Sequence, residues 1–141
     1  MTQIRDALEL LTAQHEELDQ LFAAVSRTRD AATFDELSDK LTIHIALEQE
    51  HLYPVIARQV SGDVMTELRA EHVAIKRLLS ELVWIDVEDE EFPELFAALG
   101  DLMVGHTAWQ EDQLFTDAAE MLSRDQLEAL VDQFGSVAAA A

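Results

Sequence analysis

Cysteine is absent from the 141-residue sequence, which excludes disulfides, thiolate zinc sites and iron–sulfur clusters and leaves nitrogen and oxygen donors for any metal. Two prolines and four glycines are too few for the many turns of an all-β fold, so an all-α class is expected. Basic residues are scarce as well: nine Lys and Arg stand against 29 Asp and Glu, a formal charge of −20. Nucleic acids and anionic membrane surfaces both attract cationic side chains, so neither is an expected partner. No apolar run approaches the roughly 20 residues of a membrane span, and no signal-peptide pattern opens the chain, so a cytoplasmic location is expected.

What the sequence does have is helical periodicity. Ile4, Leu8, Leu11, His15, Leu18, Phe22 and Val25 form one stripe of a first helix expected from about Thr2 to Arg27. A Thr33…Glu36 capping box predicts a second helix from near Phe34, with Leu37, Leu41, His44, Glu48, Leu52 and Val55 on one face. It is expected to bend before Pro54 and to fail around Ser61-Gly62. Asp63 reads as the N-cap of a third helix whose stripe is Met65, Leu68, His72, Ile75, Leu79 and Leu82. The acidic run from Asp86 to Glu91 reads as a loop, and Pro93 as the first turn of a fourth helix presenting Leu95, Leu99, Leu102, His106 and Trp109 inward. A Ser123…Gln126 box opens a fifth helix and Gly135 is expected to stop it. Together these segments predict an up-down-up-down antiparallel four-helix bundle with a short fifth C-terminal helix. One domain is expected over residues 1–136, with residues 137–141 a disordered tail and no internal repeat standing out.

His44 and Glu48 lie four residues apart, one above the other on an otherwise apolar face. A carboxylate buried there must be paired or bound to a metal, because leaving it unpaired costs several kcal/mol. The one base on a comparable face is Lys76, so a metal ion is the simpler compensation if other ligands converge at the same height. Counting from the turns, His15 and His44 differ in depth by about 5 Å at 1.5 Å per residue, and His72 and His106 fall at a similar level. In the fourth helix Gln110 is the stacked neighbour of His106, whereas Glu111 is rotated about 140° away but has a stem that reaches back. Glu111 is taken as the ligand, with Gln110 its rival. The set His15, His44, Glu48, His72, His106 and Glu111 exceeds one tetrahedral zinc and is too nitrogen-rich for calcium or magnesium. Two ions bridged by carboxylates fit it better, with iron the natural occupant.

The order His…His-x3-Glu…His…His-x4-Glu resembles the hemerythrin-like (HHE cation-binding) family. Glu50-His51-Leu52-Tyr53-Pro54 is similar to that family's acidic-Leu-Tyr-Pro continuation, and Glu71-His72 to its third-helix motif. The resemblance covers roughly the first 120 residues and implies a bundle around a non-haem di-iron centre, two iron ions joined by an oxo or hydroxo bridge. By resemblance, His15 and His44 serve one iron, His72 and His106 the other, and Glu48 and Glu111 bridge. Oxygen-carrying hemerythrins have a further histidine where this chain has Lys76, so one ion is short of a nitrogen donor and an open position results.

The expected ligands are therefore O2, peroxide or nitric oxide, with a separate reductant or signalling protein as a further partner. Tyr53 is placed near the centre as ligand, proton donor or electron donor, set against a plain packing role beside Pro54. His51 is expected at the surface or just behind the ligands, and Trp109 to pack or to wall the ligand pocket. Three readings stay open: a carrier or sensor of a diatomic ligand, a catalase-like peroxide-consuming enzyme on the same centre, and a helical interaction module with a structural metal or none.

Overall fold

A computed structural model describes residues 6–140, with side chains through Gly135. The expected start near Thr2 and the stripe position Ile4 lie outside the described residues. Every regular element among the described residues is helical. Helix α1 (Ala7–Thr28) is capped by Asp6, whose carboxylate accepts the Leu8 and Glu9 amides at 2.9 and 3.0 Å. It ends at Arg29 in the left-handed region, φ 51°. The Arg29 guanidinium donates to the carbonyls of Val87 and Asp89, tying this strained corner to the loop before α5.

Helix α2 (Ala31–Leu47) starts earlier than the Thr33 box predicts. The left-handed corner leaves Asp30 extended just before Ala31, and the Thr33 amide and hydroxyl both donate to its carboxylate, at 3.0 and 2.8 Å. Where a bend was expected before Pro54, the helix widens into a π turn, Glu48–Leu52, and continues as α3 (Tyr53–Ile56). The Tyr53 amide reaches back five residues to the Glu48 carbonyl. Pro54 has no amide to give, and the wider turn before it absorbs the misfit.

Ser61, not Asp63, caps α4 (Gly62–Val83): its hydroxyl accepts the Val64 amide at 3.2 Å. Asp63 then falls in the first turn, where its charge favours the helix dipole. Helix α5 (Phe92–Trp109) buries Phe92, Phe96, Leu99, Met103 and His106. Leu102 and Trp109, expected inward, are 36% and 37% exposed, because α5 is apolar around much of its girth and its sequence fits more than one stripe. A second π turn, Gln110–Leu114, leads into α6 (Phe115–Met121). Helix α7 (Arg124–Ala140) opens on the expected reciprocal box of Ser123 and Gln126, with bonds of 2.8 and 3.1 Å. At 17 residues it is not short, and it passes through Gly135. The alanines that follow favour helix enough to offset a glycine cost of about 1 kcal/mol.

Helix α1 packs against α2, α5 and α7, and α4 against α5 and α2, a closed pairing compatible with the expected bundle. Its interior is divided. One apolar cluster contains Leu11, Leu47, Leu52, Leu68, Leu114 and Phe134, and the other Leu18, Leu41, Ile75, Phe92, Phe96 and Met103. On α1, α2, α4 and α5 the passage from one cluster to the other falls at a histidine. No helix among the described residues is long and apolar enough to cross a membrane.

Candidate metal centre

The dividing layer is polar and dry. His15, His44, Glu48, His72, His106 and Gln110 are each 3% exposed or less. Two groups have donor atoms mutually within 4.8 Å: His15, His44 and Glu48, and Glu48, His72 and His106. Glu48 belongs to both. His72 Nε2 lies 3.1 Å and His106 Nε2 3.5 Å from its Oε1, while His44 Nε2 lies 3.5 Å from its Oε2.

Each imidazole is held from behind. His15 Nδ1 faces Glu111 at 3.3 Å, His44 Nδ1 faces Gln14 at 2.7 Å, His72 Nδ1 faces Gln49 at 3.3 Å and His106 Nδ1 faces Glu71 at 2.6 Å. An oxygen behind each ring fixes the proton on Nδ1 and turns the Nε2 lone pair toward the centre, the arrangement metal-binding histidines use. The rings are also stacked: His15 on Phe115 and His72 on Tyr53, with centroids 5.9 and 5.0 Å apart.

Such a layer is unfavourable by itself. His15 Nε2 and His44 Nε2 face each other across 3.1 Å. Glu48 Oε2, His106 Nε2 and Gln110 Oε1 are buried with no hydrogen-bond partner. Buried polar atoms without partners cost about 1–3 kcal/mol each, and cations among them would remove that cost. The residues present therefore fit a bound metal.

The comparisons agree with this geometry. Residues 6–135 match the family model of the hemerythrin HHE cation binding domain. The chain belongs to this family. A relative from Nostoc sp. (strain PCC 7120) described as a DNA nickase is 26% identical over 130 residues, which take in 89% of this chain and 37% of that protein. The hemerythrin-like chain thus spans little more than a third of that relative. No solved structure matches it.

The hemerythrin-like centre has uneven electrostatics. Burial pushes the Glu48 carboxyl up, but the imidazoles of His44, His106 and His72 outweigh it and hold the group well below the usual carboxylate range. Burial lowers His44 to about 4 and lowers His15 also, against the pull of Glu48. On His106 burial acts the same way, but the nearby carboxylates of Glu48 and Glu71 prevail and the group is raised.

Of the residues expected as ligands, five converge and Glu111 stands apart. Its side chain is 35% exposed and faces His15 Nδ1, away from both groups of donors. Gln110 holds the inward position, its Nε2 donating to the Tyr53 hydroxyl at 2.9 Å. That hydroxyl lies 3.2 Å from His72 Nε2, and burial, then Glu48, keeps the phenol protonated. Lys76 is exposed and donates to Gln49 at 3.3 Å. His51 lies beside Phe134, outside the cluster. Sequence reasoning missed Gln14, Gln49 and Glu71 as backing groups. Their signal was position: Gln14 and Glu71 each precede a cluster histidine, and Gln49 follows Glu48.

Proposed function

We propose that the domain holds two iron ions, one by His15, His44 and Glu48 and the other by Glu48, His72 and His106, and that this centre binds or reacts with O2, peroxide or nitric oxide. The observation supporting it is a single buried carboxylate shared by two pairs of imidazoles that have their Nδ1 atoms engaged. Iron bound there supplies reversible coordination of small oxygen or nitrogen ligands and the electron transfers that peroxide removal requires. In this reading Glu48 bridges, and Glu111 backs His15.

Tyr53 and Gln110 form a buried, uncharged polar edge of the layer. Were His72 Nε2 to hold a metal, the Tyr53 hydroxyl would lose that acceptor and have its proton free to donate within the layer, and the Gln110 amide fixes the hydroxyl that carries it. Tyr53→Phe should keep the metal content and alter azide binding. Unchanged azide affinity and spectrum would return Tyr53 to a packing role.

Iron analysis with a visible spectrum tests the proposal: about two irons per chain with ligand-to-iron absorption support it, and no uptake from an anaerobic ferrous solution refutes it. Oxygen evolution on adding peroxide favours the catalase-like reading, and a spectrum that returns after oxygen removal favours the carrier. The nickase description concerns a protein most of which lies outside the match, and nine basic residues against 29 acidic ones supply no face for DNA. We propose no nucleic-acid partner for this chain, and an absence of gel shift at low salt is the expected result.

A further inference from the structure

Gln110 follows His106 at the same spacing as Glu48 follows His44, and both side chains are fully buried in the layer. Only Glu48 is charged. The Gln110 Nε2 donates to the Tyr53 hydroxyl at 2.9 Å, and that hydroxyl lies 3.2 Å from His72 Nε2. The Gln110 Oε1 has no hydrogen-bond partner. Burial lowers His15 and the Gln110 amide works against it, so the amide reaches from Tyr53 to His15. An amide nitrogen carries two protons, of which Tyr53 takes one, and a phenol whose acceptor ring turns to a metal has a proton to give. Neutral donors therefore run along the edge of the layer that lacks a carboxylate.

Charge points the same way. The two groups of metal-binding donors share Glu48 and contain no second acid, while Glu71 and Glu111 face the outer Nδ1 atoms. One carboxylate does not balance two divalent cations in a dry layer, and uncompensated buried charge is costly.

We propose that the Gln110–Tyr53 edge is a binding site for a small exogenous carboxylate-type anion, formate or bicarbonate, which supplies the second carboxylate of the layer and accepts hydrogen bonds from the Gln110 amide and the Tyr53 hydroxyl. This rests on the metal-binding reading of the centre. The donor atoms of each group lie within 4.8 Å of one another, which limits the anion to a few atoms. Gln110 is then a selectivity residue: an acid in its place repels the anion, and the amide admits it.

The test uses the full-length protein loaded with Co2+ in buffer freed of carbon dioxide, after metal analysis has counted the ions. Formate and bicarbonate are titrated separately against the Co2+ visible spectrum, and infrared difference spectra with carbon-13 label identify the anion retained. Either source should saturate the loaded protein at about one anion per chain, with the apoprotein binding neither and chloride giving no response. Gln110→Glu should keep its metal and bind formate about a hundredfold more weakly, the effect of like charges brought together. Tyr53→Phe, which removes one hydrogen bond to a charged group, should weaken formate binding about tenfold. Loaded protein that binds neither anion, an equal response to chloride, or unchanged formate affinity in both variants would overturn the site while leaving the centre intact. Failure of the unsubstituted protein to bind Co2+ would remove the centre, and the anion site with it.

Discussion

The two halves of the molecule repeat one design with the charges exchanged. In α1 and α2, Gln14-His15 is followed by His44-x3-Glu48-Gln49 and then, after a π turn, Tyr53. In α4 and α5, Glu71-His72 is followed by His106-x3-Gln110-Glu111 and then, after a π turn, Phe115. Amide stands opposite acid at each of the three pairs, and phenol opposite phenyl. The halves even contribute to each other: Tyr53 from the first stacks on His72 of the second, and Phe115 from the second stacks on His15 of the first. The helix geometry of the centre is therefore nearly symmetric, and its charge is not. One inward position carries a carboxylate and its counterpart an amide.

That difference predicts the largest effect. Glu48→Ala should abolish binding at both positions, leaving almost no metal per chain, whereas Gln110→Ala should keep about two ions, since only Glu48 is shared. Metal analysis after desalting checks both variants, and equal loss would erase the distinction.

Behind the rings the order reverses, because Glu71 is charged and Gln14 neutral. Glu71→Ala should weaken metal binding about 10- to 100-fold, with Gln14→Ala below that range. A chelator competition titration measures the two, and a larger effect from Gln14 would contradict the comparison.

Gln110→Glu makes the halves alike. In the apoprotein it places a second carboxylate near Glu48 in a dry layer, which should cost about 2 kcal/mol and lower Tm by about 6 °C. Metal should reverse that loss. Thermal melts with and without iron decide it, and an apoprotein with unchanged Tm would mean that the inward position is not as buried as described.

The smallest effect is the pH profile of the apoprotein. His44, lowered to about 4 from 6.5, binds its proton in the unfolded chain first, so stability falls as pH drops from 6.5 toward 4. His106 is raised, so its support is present below 6.5 and is lost as pH rises through its native value. Apoprotein Tm should therefore peak near pH 6.5. His44→Gln should flatten the acid limb and His106→Gln the alkaline limb. The opposite assignment of limbs would contradict the account.

Much of this was legible in the sequence. A histidine replacing an aliphatic residue on each of four stripes, together with Glu48, located the layer, because burial penalties leave such residues few alternatives. The π turns were not legible. Each adds one residue to a turn, so a 3.6-residue count past Glu48 or Gln110 loses the phase. The inward place of Gln110, four residues after His106, did lie within that count, and Glu111 was preferred over it because an amide is a poor ligand. Leu102 and Trp109 misled for another reason: they are large apolar residues on an exposed face of α5, and hydrophobicity alone does not separate them from Met103 and Phe96. The exchanged repeat escaped notice because acid and amide differ in sequence while occupying the same position in space.

The most direct test is anomalous diffraction at the iron edge from crystals of the iron-loaded protein. Two peaks are predicted, one among His15, His44 and Glu48 and one among Glu48, His72 and His106. A single peak, or iron bound at Glu111 away from Glu48, would contradict the shared-carboxylate centre.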